Sequence, residues 1–291
     1  MEKRLFFTFL VTIVILFAEV TGGILSNSLA LLSDAGHVFT DAMAIGLSML
    51  AARVGRRPSD GKATFGYQRF GLLAALVNGL SLIGIAAFIF IESYARFLHP
   101  PAVGLNVMLP VAVGGLVGNI VMVLILGHNH ENLNMKSAWL HVLGDTLSSI
   151  GVIIAGVVVF LTGWQYADPV AGVIIGIIII WGGIRVSREA LSIFLEMTPQ
   201  GFDPEAIAGK ISALPGVLGI HDVHIWSPAH NNVAFSAHVW VHDQRLSELE
   251  GIRKRIEEML GDLEINHTML QFECAECATN GLYCRANDKP D

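Results

Sequence analysis

His37 and Asp41, and again His141 and Asp145, stand four residues apart inside stretches that are otherwise apolar. On a helix such residues share one face, so each pair offers an imidazole nitrogen and a carboxylate oxygen to a common point. Two such helices packed together would supply four ligands. Two nitrogens and two hard oxygens suit tetrahedral Zn2+, whereas Mg2+ and Ca2+ prefer all-oxygen shells. The same groups titrate: imidazole has an ordinary pKa of about 6.5, so a vacated site takes up protons near neutral pH. A site that holds either a metal ion or protons, and opens in turn to each side of a membrane, is an antiporter. The plainer alternative is two unrelated buried polar turns. It accounts for one pair better than for two of identical spacing, because ionisable groups inside a membrane are costly and default to function.

Asp34 lies three residues before His37. It is either a partner that orients the His37 imidazole or a group in the headgroup layer at the start of its span. Glu19, Asn78, Glu92 and Asn119 also fall within apolar stretches, and they read as helix-contact or interface residues.

The elements that must position these groups are membrane helices. The chain has 291 residues, 53% of them hydrophobic and 15% charged, with a mean hydropathy of +0.58, too apolar for an ordinary water-soluble domain. A helix needs roughly 20 apolar residues to cross the hydrocarbon core. Six stretches qualify: Leu5 to Leu25, Leu29 to Ala52, Phe70 to Phe97, Gly104 to Gly127, Met135 to Thr162 and Asp168 to Ala190. The first runs directly into the second and has no persuasive cleavage site, so it reads as a retained span rather than a signal peptide. Lys3, Arg4, Arg53, Arg56, Arg57, Lys62, Arg69, Lys136, Arg185 and Arg188 cluster at one set of helix ends. The positive-inside rule then places both termini in the cytoplasm. Residues 1–196 are the expected six-span transport domain in the lipid bilayer.

Past residue 196, "MTPQGFDPEA" has the Pro, Gly and Asp content of a linker leading into a helix. Residues 197–291 read as a cytoplasmic α+β domain in the order helix, strand, strand, helix, strand. The elements lie near Pro204 to Leu214, Val217 to Ser227, Val233 to His242, Leu246 to Leu260 and Ile265 to Cys274. Period-2 alternation in "NVAFSAHVWVH" supports the second strand, and the apolar spacing of "LEGIRKRIEEML" supports the second helix. The polar run from Tyr283 to Asp291 reads as disordered. A net charge of -7 argues against a nucleic-acid partner. All three cysteines lie between residues 274 and 284 and form no disulfide framework. Cys274 and Cys277 have the short spacing that lets two thiolates reach one Zn2+.

These motifs match a known family. "SNSLALLSDAGHVFTDA" together with "LNMKSAWLHVLGDTLSSIGVI" resembles the zinc-transporting branch of the cation diffusion facilitators, whose signature is His-x-x-x-Asp in the second and fifth spans. "GIHDVHIWSPAHNNVAFSAHVWV" is similar to the strand pair of that family's metallochaperone-like tail. The resemblance covers nearly the whole chain. It implies a homodimer that exports Zn2+ from the cytoplasm in exchange for protons by alternating access, in a bacterial inner (cell) membrane. His37, Asp41, His141 and Asp145 match the transport site. In the tail it implies His221, His238, His267 and Glu273 as ligands, joined by Cys277 and Cys284, for structural or regulatory Zn2+. Strand alternation puts His221 on the side of Val223 and Ile225, which read as core, and makes His224 the better-facing candidate unless His221 lies at the strand's entry. The loop between the second and third spans, "GRRPSDGKATFGYQR", holds no histidine, so the additional metal site that some members carry there is not expected. His128 and His130 are either weak metal collectors or part of a merely hydrophilic loop.

Other readings keep the mechanism with Cd2+, Co2+, Ni2+ or Fe2+ as cargo, since divalent affinities overlap at N/O sites. An intramembrane zinc enzyme is disfavoured: there is no His-Glu-x-x-His and no general base remains once both Asp residues ligate. A membrane-anchored metal sensor would not need six spans.

Overall fold

In the computed structural model the described residues are 2–126, 133–229, 232–275 and 282, with side chains for all of these except 2–8, 126, 133–138, 140, 141 and 266. His128, His130, Cys277, Cys284 and the run 283–291 lie outside the described residues. The chain forms two compact units, one of residues 1–50 and 74–187, the other of residues 51–73 and 188–291.

The first unit is a helix bundle built from α1 (Glu2–Ser26), α2 (Leu29–Gly55), α3 (Phe70–Leu98), α4 (Leu105–Leu126), α5 (Leu133–Thr162) and α6 (Ala167–Phe194). All six are long and apolar enough to cross a membrane. Each is apolar on most of its circumference, with large side chains such as Phe17, Phe88, Leu124, Phe160 and Trp181 facing outward, as lipid-facing helices require. The interior cluster draws Leu31 from α2, Leu82 and Ile89 from α3, Met108 from α4, Val152 from α5 and Ile179 from α6. Where α3 meets α6, a Cβ at Gly79 would stand 3.0 Å from the Gly183 carbonyl oxygen, and one at Gly183 would stand 2.9 Å from that of Gly79. Only a pair of glycines lets the two backbones approach so closely.

One end of the bundle is fastened by a buried carboxylate. Asp168, 0% exposed at the start of α6, accepts hydrogen bonds from the Ser28 hydroxyl and from the backbone N–H groups of Leu29 (2.6 Å) and Ala30 (3.3 Å). It thereby caps α2 from a different helix. Arg96 of α3 lies 3.6 Å away and donates to both oxygens of Asn27 and to Glu92. Glu92, read from the sequence as a helix-contact or interface residue, and Arg96 are therefore parts of this clasp.

The second unit contains α7 (Pro204–Ser212), β1 (Val217–Ala229), β2 (Asn232–Val241), α8 (Leu246–Gly261) and β3 (Ile265–Glu273), the order read from the sequence. Asp203 caps α7 by accepting from the N–H groups of Glu205 and Ala206, with Pro204 at the first turn, where its missing N–H costs nothing. The sheet order is β1-β2-β3. β1 and β2 pair antiparallel, and β2 and β3 pair parallel, so α8 serves as the crossover that a parallel pair needs. Both helices cover one face, where Ile207, Ile211, Ile252, Ile256 and Leu260 bury Val223, Ile225, Phe235 and Val239. The opposite face is left to the histidines.

The segment between α2 and α3 belongs to this same unit. Arg69 pairs with Glu196 at 2.9 Å and donates to the Pro228 carbonyl, Asn232 donates to Gln68, and the Phe65 ring meets the His267 ring edge-on at 5.8 Å.

Candidate metal centres

In the bundle, His37 and Asp41 sit one helical turn apart on α2, and Asp145 projects from α5. The His37 Nε2 atom lies 3.9 Å from Asp41 Oδ2 and 3.6 Å from Asp145 Oδ1. One ligand atom from each of the three residues lies within 4.8 Å of the others. Asp145 is 8% exposed, and His37 and Asp41 are half-buried. These separations gather three potential ligand atoms around one point, as a common ion would need. His141 occupies α5 one turn before Asp145, and its side chain is outside the described residues.

Asp34 is buried to 2% exposure, so it sits inside the bundle rather than among headgroups. It accepts a hydrogen bond from Ser149 of α5 (3.2 Å), and Ser149 in turn accepts from Asn119 of α4 (3.1 Å). Sequence reading treated Asn119 as a helix-contact residue and did not include Ser149. A three-helix chain of polar contacts has no local signature, and the only hint was an Asn and a Ser in apolar spans.

In the tail, His221 Nε2 lies 3.3 Å from Glu273 Oε2, and His238 Nδ1 lies 3.0 Å from Glu273 Oε1. The two imidazoles meet edge-on at 5.1 Å, and the three residues form the second group whose ligand atoms lie within 4.8 Å of one another. A β-bulge explains how. His221 pairs with His238 and His224 with Ser236, so three steps along β1 match two along β2. An extra residue switches the side-chain alternation and lets both histidines face away from the core. His221 and His224 are thus not alternatives. Asp222, at φ 52° inside the bulge, lies 3.1 Å from His224 and 3.6 Å from the second nitrogen of His238. Sequence reading did not include Asp222, because only the bulge brings it to the histidine face. His267 pairs with Ala234, four rungs from the Gln271 that faces His238. The three-residue group does not contain it.

Comparison with known proteins identifies the lineage. The family model for the cation efflux transmembrane domain matches residues 5–195, and that for the cation efflux protein cytoplasmic domain matches residues 199–274. The chain is 39% identical to a "Cadmium, cobalt and zinc/H(+)-K(+) antiporter" of Bacillus velezensis, over 94% of this chain and 89% of the relative. It is 37% identical to the Bacillus subtilis protein of the same description, over 98% and 93% respectively. It is 35% identical to "Zinc transporter ZitB" of Escherichia coli, over 98% and 91%. Six membrane helices, a mixed-sheet tail and these matches agree: the chain belongs to the cation efflux family, the cation diffusion facilitators, and is a multi-pass membrane transporter rather than an enzyme.

Proposed function

We propose that this protein exports Zn2+ from the cytoplasm in exchange for protons by alternating access, with His37, Asp41, His141 and Asp145 as a His2Asp2 site between α2 and α5. The observation that carries the reading is the convergence of His37, Asp41 and Asp145 ligand atoms within 4.8 Å across two helices. With neutral imidazoles the site carries two negative charges, which one divalent ion cancels. When the ion leaves, protons taken up by the imidazoles and carboxylates supply the compensating charge, and this couples the two fluxes. The relatives described as zinc transporters and as zinc/H(+)-K(+) antiporters support both cargo and coupling. Lys and Arg at the ends of the spans support cytoplasmic termini, in a bacterial cell membrane. The tail binds regulatory Zn2+ at His221, His238 and Glu273, and through the cytoplasmic domain two copies form a homodimer. By family resemblance His267, Cys277 and Cys284 are further candidate ligands of the tail.

The test is purified protein in proteoliposomes with a zinc gradient and an internal pH dye. Zinc-dependent proton flux is expected, and Asp41→Ala or Asp145→Ala abolishes it while the protein remains folded. Unchanged flux in either variant overturns the reading. A second reading, Cd2+ or Co2+ as principal cargo, is favoured by the printed descriptions of the Bacillus relatives. Competition between the three metals in the same vesicles ranks them.

A further inference from the structure

A second acidic group lies beside the transport site and takes no part in it. Glu19 of α1 is 1% exposed, and neither carboxyl oxygen meets a hydrogen-bond donor among the described residues. A buried carboxylate in that condition costs several kcal/mol unless something neutralises it. The space it occupies is made for it: a Cβ at Gly115 of α4 would stand 2.6 Å from its Oε1. One turn along the same face of α4 is Asn119, which leads through Ser149 to Asp34. The carboxylates of Asp34 and Asp145 lie near enough to repel a charge on Glu19. No Lys or Arg among the described residues offsets them.

We infer that Glu19 and Asp34, with the Ser149 hydroxyl and the Asn119 amide beside them, form a transit station for the transported divalent cation, toward the N-terminal end of α2 from the His/Asp site. The inference rests on the export reading for its direction of travel, since that reading puts this end of α2 on the outer side. Charge explains why a station belongs there. The transport site meets a divalent ion with two carboxylates, Asp41 and Asp145, and the station meets it with two more, Glu19 and Asp34. A step of about one helical turn, roughly 5.4 Å, therefore never leaves the ion uncompensated in a low-dielectric interior. What changes is ligand type. The station has oxygen donors and no imidazole, so it holds Zn2+ less tightly than a site with histidines. Weaker binding on the exit side lets the ion leave.

Glu19→Gln and Asp34→Asn keep shape and remove charge. In proteoliposomes each is expected to lower zinc turnover by about tenfold or more with little change in KM, and Glu19→Asp to restore part of it. Zinc affinity at equilibrium should stay within about threefold of the unsubstituted protein. The direct test counts bound Zn2+ in Asp41→Asn/Asp145→Asn protein with and without Glu19→Gln, the tail site being common to both. One weakly held ion should disappear with Glu19→Gln. An identical count, or unimpaired turnover in both Glu19→Gln and Asp34→Asn, overturns the station. If Glu19→Gln protein does not accumulate, the same count on Asp34→Asn decides. Absence of zinc flux in the unsubstituted protein would instead sink the export reading, while the metal count still judges the station.

Discussion

The bundle and the tail each gather three candidate ligand residues within the same 4.8 Å limit, but by opposite means. In the bundle, the partners His37 and Asp41 are four residues apart on one helix, and α5 repeats the arrangement at His141 and Asp145. Helical geometry places each pair in advance, and tertiary packing has only to bring two faces together. In the tail, His221, His238 and Glu273 come from three strands and are separated by long stretches of chain. Nothing local holds them: an antiparallel pairing, a parallel pairing and a bulge must all be in register. A site built from repeated helical turns tolerates rearrangement of whole helices, which the proposed alternating access demands. A site built across strands reports on whether its own fold is intact, and that suits regulation.

The largest effect should separate the two groups. Asp145→Asn is expected to reduce zinc flux in proteoliposomes by about a hundredfold or more, whereas Glu273→Gln should change it by less than about threefold while removing a bound Zn2+ from the tail. Equal losses in both variants would mean the groups act as one device.

Next in size, Asp168→Ala tests whether the bundle's local pairs need a distant frame. It removes the more distant of Arg96's two carboxylate partners and uncaps α2, at a cost of about 1–3 kcal/mol, read as a lowered Tm in detergent. A Tm within a degree or two of the unsubstituted protein would show that helix packing alone positions His37 and Asp41.

A smaller effect tests the bulge. Asp222 holds a left-handed backbone conformation, so Asp222→Val should be about 1–2 kcal/mol less stable than Asp222→Gly, with both losing the contacts to His224 and His238. Equal stability of the two, by thermal unfolding of the tail in the full chain, would show that the bulge relaxes without strain.

The smallest concerns Asp60, which belongs to neither site and is held by neighbours in sequence. Backbone N–H groups of Ala63 and Lys62 and the Tyr67 hydroxyl keep its carboxyl below the usual carboxylate range, and Tyr67 is raised in turn by that hydrogen bond. Because the folded pKa is depressed, the turn is intact above the ordinary carboxylate value and loosens as pH falls through the lowered one. Carbon-13 NMR titration should find Tyr67 returned to the ordinary tyrosine value in Asp60→Asn. A Tyr67 pKa that does not respond would mean the bond is not formed in solution.

Legibility followed the same division. The spans and the tail's element order were readable because hydropathy and period are local, and so was the presence of a His and an Asp on one face of α2 and of α5. The His221 puzzle was not. Strict alternation set it against the core, and one extra residue paired across the strands reverses that. Asp34 and Glu19 were visible as acids in apolar surroundings and Asp168 only as the start of the sixth span, yet the groups around them lie on other helices.

From residue types and spacing alone came the class of the protein, a six-span membrane protein with an α+β tail, and the placing of a His and an Asp on one face of two spans. Those are properties of single elements, where neighbours in sequence are neighbours in space. Tertiary structure alone settled that Asp145 meets His37 and Asp41, that a bulge turns His221 and His224 to one face, and that Asp168 fastens α2 from α6. Such contacts depend on which distant segments pack together, and that is set by burial and hydrogen bonding summed over the whole chain.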